Sequence, residues 1–124
     1  MGKITVLNHK DQSILYLDFS GSTEKEIIDG FIQLKKIVTS RPAGSLLVMA
    51  NLNNIKFNSQ FLSTCQEYLI FNGPLLKASA VFGVGNNYKK MFEHLLKESK
   101  RNIPNFETME EAKDWLVSQL SIAA

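Results

Sequence analysis

The sequence predicts an α/β domain with a mixed, mostly parallel sheet of four or five strands, opened by a hairpin and covered by about four helices. Three observations carry this. Two short extended apolar runs open the chain on either side of a polar stretch. After Ser22 the apolar spacing changes from two to about 3.6, the change from strand to helix. From there apolar runs alternate with amphipathic ones, the signature of parallel strands joined by right-handed helical crossovers.

The opening runs are Lys3–Asn8 and Ser13–Phe19, linked by His9-Lys10-Asp11-Gln12. The second is apolar almost throughout, so it reads as a strand covered on both faces. The first helix carries Ile27, Phe31, Leu34 and Val38 on one face; Thr23 and Glu26 form a capping box at its start. Arg41-Pro42-Ala43-Gly44 ends it. Ser45–Leu52 is a strand-like run expected at the centre of the sheet, followed by a loop marked by Asn51, Asn53 and Asn54. A second helix from Asn58 or Ser59 carries Phe61, Leu62, Cys65, Tyr68 and Leu69, and Asn72-Gly73-Pro74 stops it. Ala78–Val84 is a strand, and Gly85-Asn86-Asn87 leads to a helix with an apolar stripe of Tyr88, Met91, Phe92, Leu95 and Leu96. Lys89, Lys90, Lys97, Lys100 and Arg101 are placed on its opposite, solvated face. Asn105–Glu107 reads as a brief edge strand. Thr108 and Glu111 repeat the capping box before a last helix that buries Ala112, Trp115, Leu116 and Leu120. No linker or repeat divides residues 1–124, so one domain is expected.

Composition narrows the function classes. The chain has 124 residues and 14 Lys+Arg against 12 Asp+Glu, a formal charge of +2, too little for a polynucleotide partner. No apolar run reaches the roughly 18 residues of a membrane span, and no signal peptide opens the chain. Met1-Gly2 does not begin a myristoylation pattern, because Val6 stands where Ser or Thr is needed. One cysteine, Cys65, and two histidines, His9 and His94, offer neither a disulfide nor a zinc cluster. A reducing cytoplasmic setting with no metal or cofactor fits this.

In open α/β sheets ligands bind beyond the carboxyl ends of the strands, which directs attention to Ser20–Thr23, Asn51–Ser59 and Gly83–Asn87. Gly83-Val84-Gly85 begins like a dinucleotide fingerprint, but Tyr88 replaces its third glycine and the motif fails. What is left is an anion or ligand loop of Gly83, Gly85, Asn86 and Lys89, set against the plainer role of glycine in a turn. Cys65 lies on an apolar stripe and reads as a buried thiol, and both histidines read as surface residues without an evident partner. Asp18 with Glu24 or Glu26 would make a carboxylate pair, but capping and solvation already account for the glutamates. Ser59, opening a helix after a central strand, is placed to cap that helix or to be phosphorylated. Phe57, Phe61, Phe71, Phe82 and Phe92 make an interior that either packs solid or leaves a groove for an apolar ligand.

Leu17–Thr23, Leu46–Asn51, Ala80-Val81-Phe82-Gly83 and the closing segment from Thr108 to Leu116 together resemble the STAS domain superfamily, in particular its SpoIIAA-like, anti-sigma-factor-antagonist branch, related to Sec14-type folds. The resemblance spans nearly the whole chain. It implies a non-enzymatic signalling or scaffold module that binds another protein, with a phosphorylatable serine at the start of the second helix. Regulatory members read Asp-Ser-Ser-Gly there. This chain reads Asn58-Ser59-Gln60-Phe61, so Ser59 alone matches and the phosphorylation site is degenerate. Asn58, Ser59, Gln60 and Phe61 are therefore the expected partner-binding segment. The alternative implied by the same resemblance is a small apolar-ligand or lipid-binding protein of Sec14-like type. The opening hairpin also leaves an edge on which a homodimer would form.

Overall fold

The computed structural model describes residues 3–56, 58–72, 75–99 and 101–122. Strand β1 (Lys3–His9) pairs antiparallel with β2 (Gln12–Asp18), with His9 opposite Gln12. The turn is thus only Lys10-Asp11, shorter than the four residues expected. Both residues take positive φ (51° and 63°), the backbone of a tight hairpin whose twist matches its strands. Helix α1 (Glu24–Thr39) leads to β3 (Leu46–Asn51), α2 (Ser59–Asn72) to β4 (Leu76–Phe82), and α3 (Lys89–Ser99) to β5 (Asn105–Phe106). Helix α4 (Met109–Ile122) follows, and a short 3-10 turn at Asn86–Tyr88 precedes α3.

The sheet order is β1-β2-β3-β4-β5, with β2 to β5 mutually parallel. The central place of β3 and the edge place of β5 agree with the sequence. Strand β4 begins earlier than Ala78, because Leu76 pairs with Leu46. It ends at Phe82, where Gly83 bends the chain with φ 86°.

Alternating side chains give the sheet two different faces. Leu15, Leu17, Val48, Ala50 and Val81 meet Ile27 and Leu34 of α1, Phe61 and Cys65 of α2, and Phe92 and Leu95 of α3. Ile14, Leu47, Met49, Ala80 and Phe82 meet Ala112 and Leu116 of α4, neither of which has any exposure. Three helices cover one face and one covers the other.

Helices α1 and α4 start where the sequence places them, whereas Tyr88, expected on the stripe of the third helix, lies in the 3-10 turn before it. Thr23 Oγ1 accepts from the Glu26 amide at 3.2 Å, and Glu26 Oε1 accepts from the Thr23 amide at 2.9 Å. At α4 the Glu111 amide donates to Thr108 Oγ1 at 3.2 Å. Gly30 lets α1 approach the sheet, since a Cβ there would collide with the Phe19 ring.

Two side-chain placements also differ from the sequence reading. His9 is largely buried, and its Nε2 donates to Asp114 Oδ1 at 2.7 Å, tying the hairpin to α4. Lys10 Nζ reaches the same oxygen at 3.1 Å. Arg101 is half-buried rather than solvated: its Nη2 donates to Ser79 Oγ on β4 at 3.1 Å. Its amide bonds to the Leu96 carbonyl at 3.0 Å, which turns the chain inward at the end of α3. His94 is exposed, as expected.

The bonds from His9 and then Lys10 hold the Asp114 carboxyl below its ordinary value. A lowered carboxylate stabilises the fold fully above the unfolded pKa of about 3.9, and that contribution is lost as pH falls through the lowered folded value. Asp114→Ala is therefore expected to lower the thermal midpoint at pH 7, the gap from wild type closing as pH is taken to about 2. A gap independent of pH would show that the carboxylate charge is irrelevant.

Candidate functional site

The carboxyl ends of β2, β3 and β4 form a laced rim. The Phe19 amide donates to Asn51 O at 3.1 Å, the Leu52 amide to Phe82 O at 2.9 Å, and the Gly83 amide to Phe106 O at 3.3 Å. The rim's side chains hold its loops. Asp18 Oδ1 accepts from the Ser20 hydroxyl at 2.6 Å. Asn51 Oδ1 accepts from the amide and side chain of Asn53 at 3.0 and 2.8 Å, while its Nδ2 reaches Tyr16 Oη at 3.2 Å. Burial raises the Tyr16 pKa, with the Asn51 bond opposing. Asp18, Glu24 and Glu26, considered as a carboxylate pair, engage Ser20, Asn58 and Thr23 respectively.

Asn58 caps α2. Its Oδ1 accepts from the Phe61 amide at 2.8 Å, and its Nδ2 donates to Glu24 Oε1 on α1 at 2.6 Å. The second bond gives a reason for asparagine where the resemblance shows aspartate, since aspartate would cap equally well but could not donate to Glu24. Ser59 is the first residue of α2, and its side chain lies outside the described residues. Gln60 is exposed. Phe61 is 2% exposed and packs in the core, so among the described side chains of this segment the outward ones are Asn58 and Gln60.

The Gly83–Lys89 loop spends its first amides internally: that of Gly83 on Phe106, as above, and that of Val84 on Asn105 Oδ1 at 3.4 Å. Gly83 has positive φ and packs its Cα against Asn53, where a Cβ would collide. Gly85 has ordinary φ (−65°) and its carbonyl accepts from Tyr88 at 2.9 Å; Asn86 and Lys89 are exposed. These contacts give the glycines a structural role in the turn. Among the described residues no group of His, Cys, Asp and Glu is arranged to hold a metal ion, and no helix is long and apolar enough to cross a membrane.

A feature that sequence reasoning left undecided lies under α2. Between the sheet and the three helices is a cavity of about 90 Å³, lined by Leu17, Val48, Ala50, Phe61, Cys65 and Phe92 among others. Ser79 and Arg101 also line it. The aromatic interior thus leaves space on this face, while Phe82 packs on the α4 side; the side chains of Phe57 and Phe71 lie outside the described residues. Burial, then the charge of Glu24, pushes the Cys65 thiol up to about 12, so it stays protonated at neutral pH.

No protein-family model matches the sequence, and no curated protein matches it. A solved structure does: an uncharacterized protein of the DUF3478 family from Shewanella loihica PV-4, described as having a SpoIIAA-like fold. It is 14% identical, with a TM-score of 0.72 over 93% of both chains. The chain has a SpoIIAA-like fold. At that identity the likeness defines architecture alone.

Asn58→Ala is expected to cost about 1 kcal/mol in urea denaturation through loss of the cap. Asn58→Asp keeps the cap but sets a carboxylate against Glu24; Glu24→Gln added to it is expected to restore stability. If the double variant gains nothing, the Asn58–Glu24 bond does not fasten α2.

Proposed function

We propose that this chain is a non-enzymatic cytosolic interaction module that docks another protein through the start of α2. The observation supporting it is the α2 entrance itself. Asn58 is fixed between two helices, so its polar side chain is presented without further ordering cost, and exposed Gln60 beside it adds a polar group that a partner would order on binding. The rim side chains support this reading, being engaged in holding loops rather than poised around a reacting group. Charge adds orientation. Exposed Lys89, Lys90 and Lys97 lie on α3, on the same side of the sheet as α2, whereas Glu110, Glu111 and Asp114 lie on α4. A second copy of the chain would use a different surface, the outer edge of β1, where Val6 is 63% exposed.

A second reading, a small apolar-ligand binder, is favoured by the cavity. Leaving about 90 Å³ unfilled costs roughly 2 kcal/mol at the usual cavity penalty, a large share of a small domain's stability. A bound apolar group would offset that cost.

The interaction reading is tested by placing a photo-crosslinking amino acid at Gln60 in the source cells, with Gln12 at the opposite end of β2 as control. A discrete crosslinked species from position 60 alone is expected. Identical patterns from both positions, or none from position 60, would remove the α2 entrance as a docking site.

A further inference from the structure

Strand β1 is a full-length strand with one side open. It pairs with β2 over its whole length without a bulge, contains no proline, and among the described residues nothing pairs with its outer edge. Val6, at its midpoint, is 63% exposed, more than any other large apolar side chain described. We propose that two copies of the chain join through β1, antiparallel about a two-fold axis at Val6, so that their sheets continue into one. The proposal rests on the reading of this edge as the surface for a second copy, and supplies its symmetry and register.

The direction of the unpaired backbone groups sets the register. A two-residue hairpin turn with both residues at positive φ is closed by a hydrogen-bonded pair, here His9 and Gln12. Bonded pairs alternate along an antiparallel ladder, so Leu7, Thr5 and Lys3 also spend their N–H and C=O groups on β2. Ile4, Val6 and Asn8 direct theirs away from the sheet. With the axis at Val6, that residue faces the partner's Val6 and Ile4 faces the partner's Asn8, so every outward residue exchanges both of its backbone bonds. An axis at Thr5 leaves Asn8 opposite no residue of the strand, and an axis at Leu7 does the same to Ile4.

The other edge of the sheet selects the occupant. Strand β5 is only Asn105–Phe106, too short to receive β1, so copies cannot add head to tail, and a β1–β1 joint closes on itself as a dimer. Side chains agree with this. Val6 stands opposite Leu15 and so lies on the three-helix side, where the joint sets it against its own counterpart and removes from water the apolar surface that a single copy leaves exposed. From Ile4 to Asn8 there is no charged residue, so no like charges meet across the joint and none of the usual edge-blunting devices interrupts it. An axis normal to the sheet also keeps α1, α2 and α3 of both copies on one side of the joined sheet.

The test is sedimentation velocity of the full chain together with single-cysteine crosslinking. A concentration-dependent dimer is expected, weakened roughly tenfold or more by Val6→Lys, a charge placed at an exposed position of the edge. Bonded residues facing each other across the axis have Cα atoms about 5.5 Å apart, within reach of a disulfide, whereas Thr5 and Leu7 would each lie more than about 7 Å from their own counterparts. Val6→Cys is therefore expected to give a disulfide-linked dimer on mild oxidation, and Thr5→Cys and Leu7→Cys none; Cys65 is buried and does not compete. Should Val6→Lys fail to fold, the cysteine variants still decide. Linkage through Thr5→Cys or Leu7→Cys instead would overturn the register while leaving the edge as the surface for a second copy. A dimer that no β1 cysteine links, or a chain that stays monomeric at every concentration, would overturn both.

Discussion

The strands lie in the sheet in the same order as in the chain, and most of the molecule follows from that constraint. When parallel strands are laid down in one direction with crossovers of one hand, every crossover helix falls on the same face. Helices α1, α2 and α3 do so. The other face then has no crossover to cover it, and α4 must supply the whole layer. Ala112 and Leu116 are fully buried for this reason, and Ala80 on β4 allows the helix to sit close. The His9–Asp114 bond secures the far side of that layer to the hairpin.

Three helices on one face of a short sheet compete for space. Helix α2 lies between its neighbours, with Phe31 of α1 stacked on Tyr68 at 5.3 Å. Sheet side chains and α2 side chains both line the cavity, which places it beneath the middle helix. The same helix carries the Asn58 entrance, so the proposed docking surface and the roof of the cavity belong to one element. A ligand beneath α2 and a partner at its start would each act on how that helix is seated.

Much of the fold is legible in the sequence because its causes are local. The change of apolar period after Ser22, the Thr23–Glu26 box and the Ala112/Leu116 stripe each act within a few residues. What escapes the sequence depends on distant meetings. His9 finds Asp114 105 positions away, and Arg101 finds Ser79 only because β4 and the end of α3 are neighbours in space. The length of the hairpin turn escapes the sequence for a different reason. Lys10-Asp11 lacks the Asn-Gly or Asp-Gly signal that marks such turns, yet the strand register requires positive φ there. At the candidate site the start of α2 was readable, but the burial of Phe61 and the Asn58–Glu24 bond depend on where α1 lies. The cavity depends on how several side chains fail to meet, which no spacing rule records.

The central claim is that the two faces are built differently, with a cavity under α2 and with Ala112 and Leu116 of α4 fully buried against the other face. A crystal of the protein under xenon pressure tests it directly, since xenon enters apolar cavities and not well-packed cores. The account predicts one strong internal xenon site bounded by Leu17, Val48, Ala50, Phe61 and Cys65, with none between α4 and the sheet. Side chains closed over that space with no internal xenon, or xenon beneath α4 instead, would contradict it.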